Sequence, residues 1–380
     1  MQQRRHFHSF DALRFFAFLK VFLLHIPVMA FPVFNLFREG GGTGVVFFFV
    51  LSGFLITYIL LEEKKASGTI GRQRFFLRRA LRIWPLYFLV VGLAFLSSIV
   101  VGHLGLGHSN AGYEPNWFMS FTFLENYRMI ATGSHPNVSP LGVTWSLCVE
   151  EHFYLAWLFL LYSISLKRIP FLLMGCLLTG IAARFVFAWQ DWPTVDLLTN
   201  IDYFAFGAMP AYALVRYGRD FERKLSIVPL PLKLFVVCLV LAYVLASPFV
   251  NYPGKLHLEP VVFGLGFCLL IMSIIPSKNS VRIGDGNLFS RLGKYTYGLY
   301  LYHTLVINLL LRLWSKAGFS LEDPVTAGAF TLLCFAITTG ISLISYRFIE
   351  LPFLRWKERL PMARNKDREE LTAFAAPDRS

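Results

Sequence analysis

Apolar residues along this chain fall into blocks of roughly 17 to 22, the length that takes an α-helix across a bilayer, parted by short polar or proline-bearing breaks. The blocks predict helices at about 10–29, 44–61, 84–102, 145–164, 170–189, 201–215, 233–247, 257–275, 294–315 and 325–346. The expected fold is therefore an all-α, polytopic transmembrane bundle of about ten spans. Two stretches break the short-loop pattern. EEKKASGTIGRQRFFLRRALRIWP, after the second block, sets Arg and aromatic residues at helical spacing and predicts an interfacial helix running into the third span at Trp84-Pro85. The outer loop, about 103–144, is long, and its NWFMSFTFLENY is apolar enough to lie on the membrane or dip into it. Residues 1–354 read as one membrane domain and 355–380 as a polar, disordered tail.

Composition agrees with the pattern: of 380 residues, 56% are hydrophobic and only 16% charged. The net charge of +13 would suit nucleic acid if the basic residues sat on a soluble module, but no segment is long enough to form one. Topology accounts for the charge instead. Assigned alternately to the two sides, one side receives Arg4 and Arg5, Lys64 to Arg82, Lys167 and Arg168, Arg216 to Lys233, Lys278 to Lys294 and Arg347 onward. The other receives Arg38, Arg128, Lys255 and Lys316. The positive-inside rule then places both termini in the cytoplasm. The five cysteines (Cys148, Cys176, Cys238, Cys268, Cys334) all fall inside blocks and read as packing residues, not a disulfide framework. The first block contains charges and lacks a small-residue cleavage site, so it is expected to stay as helix one and not to leave as a signal peptide.

Those charges are the first candidate chemistry. RFFAFLKVFLLH, residues 14–25, holds an arginine, a lysine and a histidine. On insertion scales an Arg or Lys at a helix centre costs roughly 2.5–3.5 kcal/mol, so such residues usually face a cavity, a partner or a substrate path. Arg14 and His25 are eleven residues apart; at about 100° per residue they lie within roughly 20° of one face and about 16 Å apart along the axis. Lys20 lies roughly 120° away and needs its own partner. Taken singly, Arg14 snorkels to the inner surface and His25 bonds a neighbouring helix; taken together, they mark a polar stripe.

In WSLCVEEHFYL, Glu150 and Glu151 lie at a depth matching His25, about five residues below the outer boundary near Trp145. An imidazole and a carboxylate at one depth form a base-and-orienter pair able to activate a hydroxyl. Adjacent glutamates diverge by about 100°, so at most one faces His25. The alternative pairs one of them with Lys20 or Arg184 and sends the other to interfacial water. His25, His152 and a glutamate match no familiar metal spacing, and no metal is expected. FFFVLSGFLIT places Ser52 and Gly53 mid-membrane, where small residues allow close packing or leave room for a ligand. GKYTYGLYLYH puts Thr296, Tyr300 and His303 near one face, either as packing or as site; RFIE, near Glu350, is as easily a surface Arg347–Glu350 pair. Arg78, Arg79 and Arg82 cluster at the cytoplasmic mouth of the third span, where they satisfy the positive-inside rule, contact lipid phosphates, or clamp a phosphorylated ligand.

The motifs FDALRFFAFLKVFLLH, FFFVLSGFLIT, FLRRALRIWPLY, WSLCVEEHFYL, YGLYLYH and FIELPF, in this order from Asp11 to Pro352, resemble those of the acyltransferase family 3 membrane proteins. These proteins transfer acyl groups, usually acetyl, from coenzyme A to sugars of exopolysaccharide and other surface polysaccharide, lipopolysaccharide or peptidoglycan, or to secreted small molecules. The resemblance implies a bacterial inner-membrane O-acyltransferase with roughly ten spans, acetyl-CoA as co-substrate, His25 essential to transfer, Arg14 in the same functional motif and Glu150 in a functional segment. Lys20 and His152 depart from it, where an apolar residue and glutamine are more usual. The chain is also expected to lack the extracytoplasmic hydrolase-like domain of some relatives.

On this reading Arg78, Arg79, Arg82 and Arg14 bind the donor phosphates, and the pantetheine arm rises along helix one to His25. The histidine, oriented by Glu150 or Glu151, deprotonates an acceptor hydroxyl arriving from outside. Ser52, Trp145, Tyr300 and His303 are candidate substrate contacts; the acceptor is a carbohydrate or glycolipid, and membrane lipids surround the bundle. The rival is a secondary transporter or flippase using the same charges, against which the chain offers no inverted repeat. The sequence leaves oligomeric state open.

Overall fold

The computed structural model describes residues 7–27, 32–103, 112–276 and 278–359; Arg4, Arg5, residues 104–111 of the outer loop and residues 360–380 of the tail lie outside the described residues. Among the described residues there is no strand, and ten long helices carry the architecture. They are α1 (Phe10–His25), α2 (Thr43–Ser67), α3 (Arg72–His103), α4 (Trp145–Ser163), α5 (Ile169–Trp189), α6 (Leu197–Tyr217), α7 (Leu230–Ala246), α8 (Lys255–Ile274), α9 (Thr296–Lys316) and α10 (Pro324–Ser345). Each covers one apolar block of the sequence.

Six segments, containing α2, α3, α5, α7, α8 and α10, are long and apolar enough to cross a membrane. The chain is an integral membrane protein. The other four long helices fall short for a physical reason: α1 is only 16 residues long, and α4, α6 and α9 carry Glu150, Glu151, Asp202 and His303 among other polar residues. Burial compensates, since Glu151, Asp202 and His303 are each within 6% of full burial.

Helices α2 and α6 form the spine. Gly53 of α2 lies against the Phe204 backbone and Gly207 of α6 against the Val50 backbone, so that a Cβ on either would collide with a main-chain carbonyl. Two helix backbones in contact at reciprocal glycines gain close packing along their length, which is what drives association in lipid. Helices α5, α7 and α8 gather on one side of the spine and α1, α3, α4, α9 and α10 on the other. On the first side, Arg184 bonds both carboxylate oxygens of Asp202 at 2.5 and 3.0 Å and the Thr199 carbonyl at 2.6 Å. This buried fork ties α5 to α6 and removes Arg184 as a partner for Glu150 or Glu151.

At its C-terminal end α2 outruns the predicted block, because EEKKAS continues the helix. Lys64 donates to the carbonyls of Leu161, Tyr162 and Ile164 at the end of α4, and Lys65 to that of Val215 at the end of α6. Consecutive lysines thus satisfy the orphan carbonyls of two neighbouring helices. The predicted interfacial helix and third span are one continuous helix, α3, with Pro85 inside it. After α10 the chain makes a π turn over Tyr346–Glu350, with the Leu351 N–H bonded to the Tyr346 carbonyl, and continues as a helix over Leu351–Arg359 packed on α3. All five cysteines are free thiols.

Candidate functional site

A cavity of about 500 Å3 opens between α1, α2, α3, α4, α9 and the π turn. Its mouth is basic: Arg14, Arg79, Arg82, Lys294 and Lys357 line it, together with Asp11. Arg14 is fixed by Asp11 of its own helix, Nη1 to Oδ1 at 2.6 Å. Arg82 is exposed in the mouth, and its charge reaches Arg14, Glu150, Glu350 and Lys357. Arg78, grouped with these from sequence, does not line the cavity.

Inward, the cavity reaches Ser52, Glu150, Tyr154, Ser146 and Tyr300. Ser52 donates to one oxygen of Glu150 and Tyr154 to the other, each at 2.9 Å. Position 52 is therefore polar contact as well as packing, and Gly53 beside it sets the spacing. The Tyr300 hydroxyl closes the inner end, 2.7 Å from Ser146 Oγ and donating to the Val143 carbonyl at 3.1 Å.

One helical turn further along α9 stands His303, fully buried, its ring 5.6 Å from that of Tyr300. Its Nδ1 is 2.5 Å from the Tyr300 carbonyl and its Nε2 is 3.3 Å from His25 Nδ1, which in turn lies 2.9 Å from the Val21 carbonyl. These partners set the tautomers. A carbonyl only accepts, so His303 is protonated on Nδ1 and presents a lone pair on Nε2. The His25 Nδ1–H is then shared between Val21 and His303, which leaves His25 Nε2 unprotonated. A neutral imidazole held in that form is a base.

The expected pairing of His25 with Glu150 or Glu151 is not formed. Glu150 faces Ser52 because α4 packs on α2, whereas α9 packs on α1 and brings His303 instead. Glu151 accepts from Trp84 Nε1 at 3.3 Å. Equal depth left the lateral order of helices open, and packing settled it. Nor is the polar stripe of helix one an open track, since Arg14 lines the cavity and His25 does not. Both ring nitrogens of His303 are engaged, one by the Tyr300 carbonyl and one by His25. Trp145 packs edge-on against Phe49 outside the cavity lining.

Sequence alone does not mark Lys294, Lys357 and Glu350 as cavity residues: the two lysines read as topology charges, and RFIE reads as easily as a surface Arg347–Glu350 pair. Arg347 is exposed, but Glu350 is 7% exposed and lines the cavity. Outside the long helices, the loop between α3 and α4 is held by Glu125, fully buried, which accepts from Ser120 and, at 2.5 Å, from the Tyr113 hydroxyl. Burial and that bond hold the Tyr113 pKa above its usual value.

A family model described as an acyltransferase domain matches residues 7–347. The chain belongs to this acyltransferase family. It is 27% identical over 367 residues to the peptidoglycan O-acetyltransferase OatA of Listeria monocytogenes, covering 92% of this chain and 56% of the relative. It is 25% identical over 377 residues to the O-acetyltransferase OatA of Staphylococcus aureus, covering 93% and 58%. The chain thus spans a little over half the length of these curated relatives. No solved structure matches it. The two departures from the family pattern have partners away from His25. Lys20 donates to the carbonyls of Phe37 and Glu39 at 2.9 and 2.6 Å, and His152 stacks on Tyr127 of the loop between α3 and α4. Among the described residues no three His, Cys, Asp or Glu side chains converge as a metal site.

Proposed function

We propose that this acyltransferase-family protein is a membrane O-acetyltransferase that takes acetyl from cytoplasmic acetyl-CoA and delivers it to a hydroxyl of an extracytoplasmic carbohydrate or glycolipid. In this reading the bundle makes about ten spans with both termini in the cytoplasm of a bacterial inner membrane. Peptidoglycan sugars come first among the acceptors to test, because a relative named for that substrate covers nearly the whole chain. The observation that carries the reading is one cavity lined by Arg14, Arg79, Arg82, Lys294 and Lys357 and, inward, by Tyr300, whose ring lies 5.6 Å from that of His303, the partner of His25.

Arg79, Arg82, Lys294 and Lys357, with Arg14 behind them, hold the phosphates, for which guanidinium is the better geometric match. The uncharged arm runs inward past Ser52 and Glu150, and the thioester reaches His25 once Tyr300 swings from Ser146. His25 Nε2 takes the proton of the acceptor hydroxyl as its oxygen attacks the acetyl carbonyl carbon. Collapse of the adduct breaks the C–S bond, and the thiolate leaves with the proton from the imidazolium. His303 Nε2 accepts from the His25 Nδ1–H throughout and stabilises the charge that develops there.

Nothing in the site favours the transporter alternative, and family membership points to acyl transfer. The test is the mass of envelope glycans from cells with and without the gene, complemented with wild type or His25→Ala. Loss of an acetyl increment, restored by the wild type alone, is expected. Normal acetylation by a folded His25→Ala chain would overturn the mechanism.

A further inference from the structure

The mechanism above leaves one buried group of the cavity unused. Glu350 is 93% buried, yet it lines the cavity, and its Oε1 has no hydrogen-bond partner. A buried carboxylate without donors needs an explanation, since desolvating it costs far more than desolvating a neutral group. Arg82 exerts its charge on Glu350, but no ion pair between them forms. The site is also built for this side chain. The π turn aims Glu350 at the cavity while Arg347 points outward, and Pro352, lacking an N–H, cannot restore a regular turn there. Across from it stands Gly298, where a Cβ would come within 3.4 Å of Glu350 Oε1 and 3.3 Å of Ser342 Cβ.

Depth tells what the carboxylate meets. Glu350 at the end of the π turn and Leu354 and Lys357 of the helix that follows all line the cavity, spaced four and three residues apart. Lys357 is therefore roughly 10 Å nearer the mouth than Glu350. A ligand whose phosphates sit among Lys357, Arg79 and Arg82 passes Glu350 with its next, uncharged portion.

We propose that Glu350 is a donor-recognition residue, its carboxylate accepting a hydrogen bond from an amide N–H or a hydroxyl on the uncharged arm of the acyl donor, just inward of the phosphates. The proposal rests on the acyl-CoA reading and adds to it a reason for preferring a pantetheine-type arm over a simple acyl phosphate, which carries no such hydrogen.

The test uses the full chain in lipid nanodiscs and compares affinity for acetyl-CoA with that for adenosine 3′,5′-bisphosphate, a nucleotide head without the arm. Glu350→Leu should weaken acetyl-CoA binding about tenfold or more, as expected for losing a bond to a charged acceptor, and leave the nucleotide unaffected. Glu350→Gln, which keeps an acceptor oxygen and the volume, should lose less, and it carries the comparison if the leucine variant does not fold. Unchanged acetyl-CoA binding, or equal weakening of both ligands, overturns the proposal while leaving the acyl-CoA reading in place. A wild-type chain that binds neither ligand strikes at that reading itself, and the proposal falls with it.

Discussion

Replacing His303 tests the histidine relay directly. In the resting network its Nε2 takes only part of the His25 Nδ1–H, at 3.3 Å against 2.9 Å to the Val21 carbonyl. Removing it leaves Val21 to hold the tautomer, so His25 remains a base. The loss falls on the transition state, where His25 becomes an imidazolium and the bond to His303 becomes charge-assisted. Such a bond is worth roughly 1.5–3 kcal/mol, or about 10- to 150-fold in rate. Loss of the base itself is expected to cost about 10²- to 10⁴-fold. His303→Leu, which removes both nitrogens, should therefore lower kcat by the smaller factor and leave the KM for acetyl-CoA unchanged, because His303 lies outside the cavity lining. His303→Gln keeps an acceptor and should fall between the leucine variant and wild type. The assay is acetyl incorporation into envelope glycans by membranes from a deletion strain complemented with each variant at matched protein levels, over a range of acetyl-CoA. A wild-type kcat in His303→Leu would refute the relay; a rise in KM with constant kcat would move His303 back to substrate binding.

The basic mouth makes a contrast within one arginine cluster: Arg82→Gln should raise the acetyl-CoA KM about tenfold or more and leave the acceptor KM alone, whereas Arg78→Gln, outside the cavity, should change neither. Steady-state kinetics in both substrates decide it, and equal effects of the two variants would contradict the placement. Tyr300→Phe removes the hydroxyl that bonds Ser146 and the Val143 carbonyl; if that contact bars the acyl arm, acetyl-CoA hydrolysis without acceptor should rise in the variant, and an unchanged hydrolysis rate would count against a barrier. Gly53→Val forces a side chain into the Phe204 carbonyl at the α2–α6 crossing, an overpacking that costs roughly 1–3 kcal/mol or more, read as a lower melting temperature in nanodiscs with Gly42→Val, which meets open space, as the control. Lys64→Met strips the donor from three carbonyls at the end of α4 and should lower thermal stability by about 1 kcal/mol with transfer intact.

Helix positions were legible because hydrophobic blocks and their breaks are local. The proline and charge that end a block act within a turn of themselves, so α1 to α10 fall where the pattern put them, with α2 running on only because EEKKAS is a good helical sequence. The basic mouth was legible for Arg14, Arg79 and Arg82, which combine helical spacing with a position near a helix end. Lys294 and Lys357 carry the same charge but reach the cavity from elements distant in sequence. His25 stands out in the sequence as a polar residue in an apolar block, but the sequence does not identify its neighbour. Counting residues gives depth along a helix and leaves open which helix stands beside it; that depends on which faces bury best, and His303 is 278 residues away. Glu350 was missed because an i,i+3 pair presumes a regular turn. Pro352, two residues on, is the signal that the turn is irregular, and the π turn rotates the glutamate inward.

A physical regularity connects the fold to the chemistry. The four long helices too short or too polar to qualify as spans by themselves are α1, α4, α6 and α9, and three of them supply Arg14, His25, Glu150, Tyr300 and His303. Polar groups are tolerated there because the apolar helices α3, α5, α7, α8 and α10, each less than half buried, meet the lipid instead, freeing the enclosed helices from the hydropathy a lone span requires. The fourth, α6, spends its polarity on Asp202, whose fork from Arg184 locks α5 to the spine. Weak hydropathy in one block of such a chain thus marks a helix that the bundle must enclose, and the polar residues on its enclosed face divide into those already satisfied by the protein, as Asp202 is, and those left for a substrate.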